Sequence, residues 1–458
     1  MNTWVRRHYA ELVGWLSLLG FFLITMNAQA AEPASWSMNE ALDYALAHNP
    51  DLQVAVSSID ELEQVRGEVF ANFLPDLKLE GGYTYIDNIP QIEIDMKMAA
   101  PFPGMEPIAI NKKIDMGYHD NYQAQLKLNQ ILFASGQVYY ADRAMQKAVA
   151  AGESRLAAAR LKVVQMTARA YLGVLIAQQV AAAQHEALAN AREHLKHVEN
   201  RYAYGAATKF ELLRAQVEVS NLEPQATEAD KNVRLARTML SRATGFPADT
   251  PLTLTDKLVE PTGAEAQADY HARALEQRPE LEAYRLSVAA NEDQALARRG
   301  TMLPAVMLLG SYGYQKPYYM NDEWETNWTV GVGVSIPLFD GLQGYRGMKR
   351  ARAQAETAGR QRTQAAADVR TQVEQALLDQ DEARVRIVET KNNLDRAAQM
   401  SIIAEDSYKA GAVTSLEVID AQLAATAAQV AHLKALYDYR VARVNLAAAT
   451  GDLSVIGR

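Results

Sequence analysis

The chain has 458 residues, 49% hydrophobic and 22% charged, a composition that folds and that excludes a disordered polymer. Its 46 Lys+Arg against 55 Asp+Glu leave a net charge of −9, without the concentrated basic surface that nucleic acid requires. Cysteine is absent, which removes disulfides, thiolate metal sites, a cysteine nucleophile and a lipid-bearing N-terminal cysteine.

In chain order, Arg6 and Arg7 precede an apolar stretch from Leu12 to Ile24 that runs into Ala28-Gln29-Ala30. This pattern predicts a secretory signal peptide over residues 1–30; an uncleaved anchor needs a longer apolar run. The mature chain is expected to be exported. After residue 30 no run of about 18 apolar residues occurs, so any bilayer crossing falls to β-strands, whose signal is weaker.

A helical segment over 38–72 gives way to alternation at period two. Leu77, Leu79, Gly81, Tyr83 and Tyr85 share one face opposite Lys78, Glu80 and Thr84. Tyr122, Ala124, Leu126 and Leu128 alternate with Gln123, Gln125, Lys127 and Asn129. Strands are predicted near 77–86 and 120–132, each with one apolar face and a length of about ten residues, which suits a tilted strand crossing a bilayer. Between them Met96, Met98, Met105 and Met116, with Pro90, Pro101, Pro103 and Pro107, read as a flexible extracellular loop. Thioethers also suit Cu(I), which keeps a metal reading of this loop open.

Residues 138–200 lack proline and are rich in alanine, and as a helix they rise about 95 Å. Met145, Val149, Gly152, Leu156, Ala159, Val163, Met166, Ala170, Gly173, Ala177 and Val180 follow 4,3 spacing, a seam of small side chains for a close helical neighbour. The return helix completes a hairpin over 138–244, with a kink expected at Pro224. A Pro-bearing linker, 246–264, leads to a second helical segment (265–301). Strands follow near 306–315 and 327–337, then a hairpin over 345–450.

The second half repeats the first. Asn49-Pro50-Asp51-Leu52 recurs as Arg278-Pro279-Glu280-Leu281, Leu74-Pro75 as Leu303-Pro304, and Gly81-Gly82-Tyr83-Thr84-Tyr85 as Gly310-Ser311-Tyr312-Gly313-Tyr314. Then Leu132-Phe133 matches Leu338-Phe339, Tyr202-x-x-Gly205 matches Tyr408-x-x-Gly411, and Ala243-Thr244-Gly245 matches Ala449-Thr450-Gly451. The offset changes once, between Tyr85 and Leu132, which places an insertion there. Residues 31–245 and 265–458 are two copies of one unit.

Four strands are too few to close a barrel, and open sheet edges cannot face hydrocarbon. Either the strands lie outside a membrane or several chains pool them; three chains supply twelve. Tyr318, Tyr319, Trp324 and Trp328 beside a strand suit an interfacial aromatic belt, although aromatics also fill ordinary cores.

The order helix, Leu-Pro, two strands, long helix, Tyr-x-x-Gly turn and Ala-Gln helix, occurring twice across the mature chain, resembles the TolC-like outer-membrane efflux proteins. The resemblance implies an α+β membrane protein: a homotrimer whose pooled strands form a twelve-stranded outer-membrane barrel continuing into a periplasmic helical tunnel. Such channels serve passively as exit ducts, with a periplasmic adaptor and an inner-membrane pump as partners. By the same resemblance the turns at Tyr202, Gly205, Tyr408 and Gly411 are adaptor-docking tips. Candidates for a periplasmic gate are Glu211, Tyr408, Glu417 and Asp420. Val413 stands where family members carry a basic gate residue, which leaves Lys409 and Lys209 as the nearest cations.

A competing reading is an exported coiled-coil scaffold or periplasmic adaptor. An adaptor calls for one hairpin flanked by soluble β-domains, whereas this chain has two hairpins and two strand pairs. His194-Leu195-Lys196-His197, with His185 upstream, offers imidazoles without a third metal ligand at motif spacing. Asp340-Gly341-Leu342-Gln343-Gly344 lacks both dinucleotide and Walker spacing. No nucleophile–base motif, metal site or cofactor fingerprint is recognised, so neither an enzyme nor a cofactor is expected.

Overall fold

A computed structural model of the chain describes residues 34–98, 102, 104, 108–247, 252–259, 269–319 and 321–452. The signal peptide, Met105 and much of the linker lie outside the described residues. The chain divides into two units, one of Met1–Pro50, Leu161–Ala268 and Glu374–Arg458, the other of Asp51–Arg160 and Asp269–Val373.

The second unit carries a four-stranded antiparallel sheet, ordered β2-β5-β7-β8. Its strands are β2 (Asp76–Tyr85), β5 (Asp120–Phe133), β7 (Ala305–Lys316) and β8 (Glu325–Ser335). The register aligns Leu79 with Leu126, Leu126 with Tyr312, and Tyr312 with Trp328. Because side chains alternate, that row and its neighbours make one apolar face, and it is open: Leu79 is 79% and Trp328 70% exposed. The opposite face is polar, with Lys127 Nζ 2.7 Å from Glu80 Oε2 and the Ser311 and Thr329 hydroxyls 2.7 Å apart.

The inserted segment is not a simple loop. Gln91–Met98 (β3) and Ile108–Asp115 (β4) form an antiparallel hairpin in which Gln91 faces Asp115 and Met98 faces Ile108. Gln91-Ile92-Glu93-Ile94-Asp95-Met96-Lys97-Met98 alternates as regularly as the other strands, but its prolines and methionines draw attention from that period. Around the sheet, α2 (Pro50–Ala71) and α6 (Pro279–Gly300) each begin at a proline. The prolines split the expected helical segments, because the residue before proline is pushed out of the helical region. Asn49 and Arg278 both take extended backbone there. In this unit Asp293 on α6 is buried and receives Arg143 Nε at 2.9 Å and Lys147 Nζ at 2.6 Å.

The first unit holds β1 (Ala34–Trp36) parallel to β6 (Leu252–Leu254), α1 (Met38–His48) and α4 (Lys209–Thr244). It also holds α8 (Ser415–Thr450) and the distal parts of two 67-residue helices, α3 (Gln137–Ala203) and α7 (Gln343–Lys409). The short α5 (Tyr270–Gln277) belongs to the other unit. The core gathers Leu42 of α1, Tyr171 and Leu175 of α3, Leu240 of α4, Ile387 of α7 and Leu436 of α8. Tyr171 carries its hydroxyl into that core and donates toward Asp256 Oδ2 and the Trp36 carbonyl, each at 2.9 Å, which ties α3 to the small sheet.

Gly245 ends α4 in the left-handed region, with φ 79°, and a Cβ there would stand 2.7 Å from the His48 carbonyl oxygen. Gly205 also has positive φ, 72°, but faces open space. Gly205→Ala is expected to cost about 1 kcal/mol, the ordinary left-handed penalty, and Gly245→Ala at least twice that. Urea unfolding of the two variants in detergent measures the difference.

Candidate functional site

The ends of the two long helices are built alike. At the first turn Gly205 N–H donates to the Tyr202 carbonyl at 3.0 Å and Ala206 N–H to that of Arg201 at 2.8 Å. At the second, Gly411 N–H donates to Tyr408 at 2.9 Å and Ala412 N–H to Ser407 at 2.8 Å. This is a paired cap that uses the last free carbonyls, and it requires the positive φ that glycine supplies at both places. The returning helices start on Thr208 and Thr414. Glu211 Oε2 accepts from the Thr208 N–H at 2.7 Å, and Glu417 Oε2 from the Thr414 N–H at 2.7 Å; each threonine hydroxyl accepts in return from the glutamate N–H. Hydrogen bonds to Thr414 hold the Glu417 carboxyl below its ordinary value.

The tip residues differ between the copies. Tyr202 is exposed, with Lys209 Nζ 5.5 Å from its ring centre, and Tyr204 is 89% exposed. Tyr408 is 2% exposed and packs with Val198, Leu212, Ala215 and Val418, against which Val413 also lies. Arg201, from the last turn of α3, places its guanidinium 4.7 Å from the Tyr408 ring centre and donates to the Tyr408 carbonyl at 2.7 Å. Burial raises the Tyr408 hydroxyl, Arg201 opposes this, and Glu211 and Glu405 add to it.

Among the gate candidates, then, Glu211 and Tyr408 share one neighbourhood, and Glu211 and Glu417 are each engaged in a helix cap. Asp420 is exposed on α8 and stands near Glu218 of α4. Burial raises the Glu218 carboxyl, Arg214 lowers it, and the Asp420 charge raises it further. Of the aromatics, Tyr318 and Tyr319 are 4.7 Å apart between ring centres, Trp324 lies 6.1 Å from Tyr122, and Trp328 stands on the open apolar face.

The three imidazoles of α3 have separate partners. His185 meets Asp230 at 3.0 Å, His197 meets Glu193 at 3.7 Å, and His194 is buried against Ser415. Among the described residues no group of three or more His, Asp or Glu side chains is placed to hold a metal. No described helix is long and apolar enough to cross a membrane. Arg201, Glu405 and Glu218 escape a motif search, and His194 enters one only as a rejected metal ligand; what marks Arg201 and His194 in the sequence is that the second copy has Ser407 and Met400 in their places.

The model of the family described as "Outer membrane efflux protein" matches residues 41–246 and again 271–452. The chain belongs to this family. It is 25% identical over 335 residues to outer membrane efflux protein BepC of Brucella suis biovar 1 (strain 1330), covering 72% of each chain. It is 24% identical over 455 residues to alkaline protease secretion protein AprF of Pseudomonas aeruginosa, covering 97% of this chain and 89% of that one. The fold matches the crystal structure of the Campylobacter jejuni CmeC outer membrane channel with a TM-score of 0.72 at 19% identity, over 91% of this chain and 85% of that one. The efflux protein is therefore TolC-like, and its location is the outer membrane.

The second turn of this outer membrane efflux protein depends on its cap. Thr414→Ala is expected to cost about 1 kcal/mol. Because the Glu417 carboxyl is held below the ordinary 4.5 in the folded protein, the capped turn is stable above that pH and loosens as pH falls through the lowered value. Hydrogen exchange at the Thr414–Glu417 amides, corrected for intrinsic rate, reads this loss.

Proposed function

We propose that the protein is the exit duct of a tripartite efflux or type I secretion system and that it works as a homotrimer. The observation that carries this reading is the sheet: four strands of 10 to 14 residues, a continuous exposed apolar face, and β2 and β8 as its outer strands. Three copies pool twelve strands, enough to enclose a lumen lined by the polar face while the apolar face meets lipid. Trp324, Trp328, Tyr318 and Tyr319 then belong to the aromatic belt at one interface.

The capped turns at Tyr202–Gly205 and Tyr408–Gly411 are the docking tips for a periplasmic adaptor, and an inner-membrane pump supplies the energy. Rigid caps support this role, since a pre-ordered turn loses little entropy on binding. Transport through the duct is passive. Asp420 and Glu218 are the acids whose repulsion an entrance gate has to hold in check, and Glu211 and Tyr408 are the further gate residues. The relatives' names point to more than one class of cargo, efflux in one case and protease secretion in the other.

Protein extracted by detergent from isolated outer membranes is expected at three times the protomer mass; a soluble monomer of about 50 kDa refutes the reading. In planar bilayers Asp420→Ala is expected to change single-channel conductance, and an unaltered trimeric channel removes Asp420 from the gate.

A further inference from the structure

One buried imidazole is left unused by the duct. His194 of α3 is 2% exposed. Its Nε2 lies 2.8 Å from the hydroxyl of Ser415, the first residue of α8, and its Nδ1 lies 3.3 Å from Glu405 Oε2 on α7. Tyr408 covers the ring at 4.9 Å between centres. Three helices meet on one side chain. Nδ1 and both Glu405 oxygens are buried, and the Nδ1–Oε2 approach is a close polar contact between α3 and α7.

A charge on this ring is costly. Burial strips hydration from an imidazolium, and the N-terminus of α8 presents it with partial positive charge. The groups facing the site are His197 and Arg201 on α3, Glu405, Tyr408 and Lys409 on α7, and Glu211 on α4. On α8 they are the Thr414–Glu417 cap and Ser415. Of these only the acids favour the cation, and Glu405, the nearest, also has Lys409 Nζ 3.8 Å from its other oxygen. Burial pushes the imidazole below its ordinary value, Glu405 opposes this, and His197 adds to the depression.

We propose that His194 is a proton-operated latch: neutral, it holds α7 and the start of α8 against α3, and protonated, it releases them. The folded value lies below the 6.5 of free imidazole, so the contact is intact above that pH and is lost as pH falls through the lowered value. The inference rests on the duct reading, in which release opens the tip. Glu218 responds in the opposite sense, because protonating it removes its repulsion with Asp420 and tightens the tip. The sign of the pH response therefore identifies the group.

The test is open probability in planar bilayers with the full-length protein. Open probability is expected to rise several-fold as pH goes from about 7.5 to about 5.5. His194→Gln keeps a donor and an acceptor but cannot charge, and its channel is expected to show no rise. Glu405→Gln removes the nearest charge favouring the imidazolium and should move the midpoint to lower pH. A wild-type channel that ignores pH, or a His194→Gln channel that responds as wild type does, overturns the latch.

A second reading does not need conductance. The chain has no native cysteine, so spin labels at Glu193→Cys and Asp406→Cys, both exposed positions on α3 and α7, report their separation directly. The distance is expected to lengthen on acidification and to stay fixed when His194→Gln is added. A distance unchanged by pH overturns the latch even where the channel conducts. A protein that never conducts refutes the duct, and the labels still decide the latch.

Discussion

A strand in hydrocarbon has no water to satisfy its backbone, so every N–H and C=O must find a partner in another strand. This one constraint shapes the chain. In the four-stranded sheet β5 and β7 have a neighbour on each side, whereas β2 and β8 are outermost. An open apolar face and two outer strands together are a hazard for a soluble protein and a requirement for a strand-built membrane wall. The duplication supplies the remedy in advance. The last strand of the first copy, β5, already pairs with the first strand of the second, β7, aligning Ala124 with Tyr314 and Leu126 with Tyr312. In the homotrimer we propose, a junction of the same kind between β8 of one chain and β2 of the next repeats a solution the sequence contains.

The same economy governs the helix ends. A 67-residue helix that reverses into a 36-residue one leaves free carbonyls and free N–H groups facing each other across five residues. Glycine at positive φ turns the chain and uses the carbonyls; threonine and glutamate use the amides. Both turns do this with the same residue types at the same spacing. Glu211 and Glu417 thereby acquire a local duty that does not depend on any other helix. Whatever they contribute to a gate comes in addition to it.

The period-two faces of β2, β5, β7 and β8 and the glycines of the two turns could be read from the sequence because each rests on local spacing repeated twice. The hairpin of β3 and β4 was obscured by the prolines that follow Met98, although Ile92, Ile94 and Met96 keep the strand period. The break at Asn49 was equally hidden: the helical pattern continues on both sides, and only Pro50 marks the change. Side-chain meetings were out of reach. His194 and Ser415 are separated by 221 residues, and nothing in either neighbourhood names the other. Glu417 looked like a free acid near a tip because a capping box, Thr-x-x-Glu, is as short as any chance pairing.

Where the copies depart from each other, the departures are linked. Arg201 has Ser407 as its counterpart and His194 has Met400, and both side chains act on Tyr408, whose own counterpart Tyr202 stays exposed. Two differences around a shared tyrosine therefore convert one of two like turns into a tied one. Arg201 clamps the Tyr408 ring and carbonyl, and His194 packs against the same ring. The first turn keeps Tyr204 and Phe210 in the open; the second shows Lys409 and Ala410 above a buried tyrosine. A partner that meets both turns meets two chemically different surfaces on matching backbones. Open aromatic side chains at the first turn and a buried, Arg201-clamped tyrosine at the second give the two copies one backbone and two surfaces.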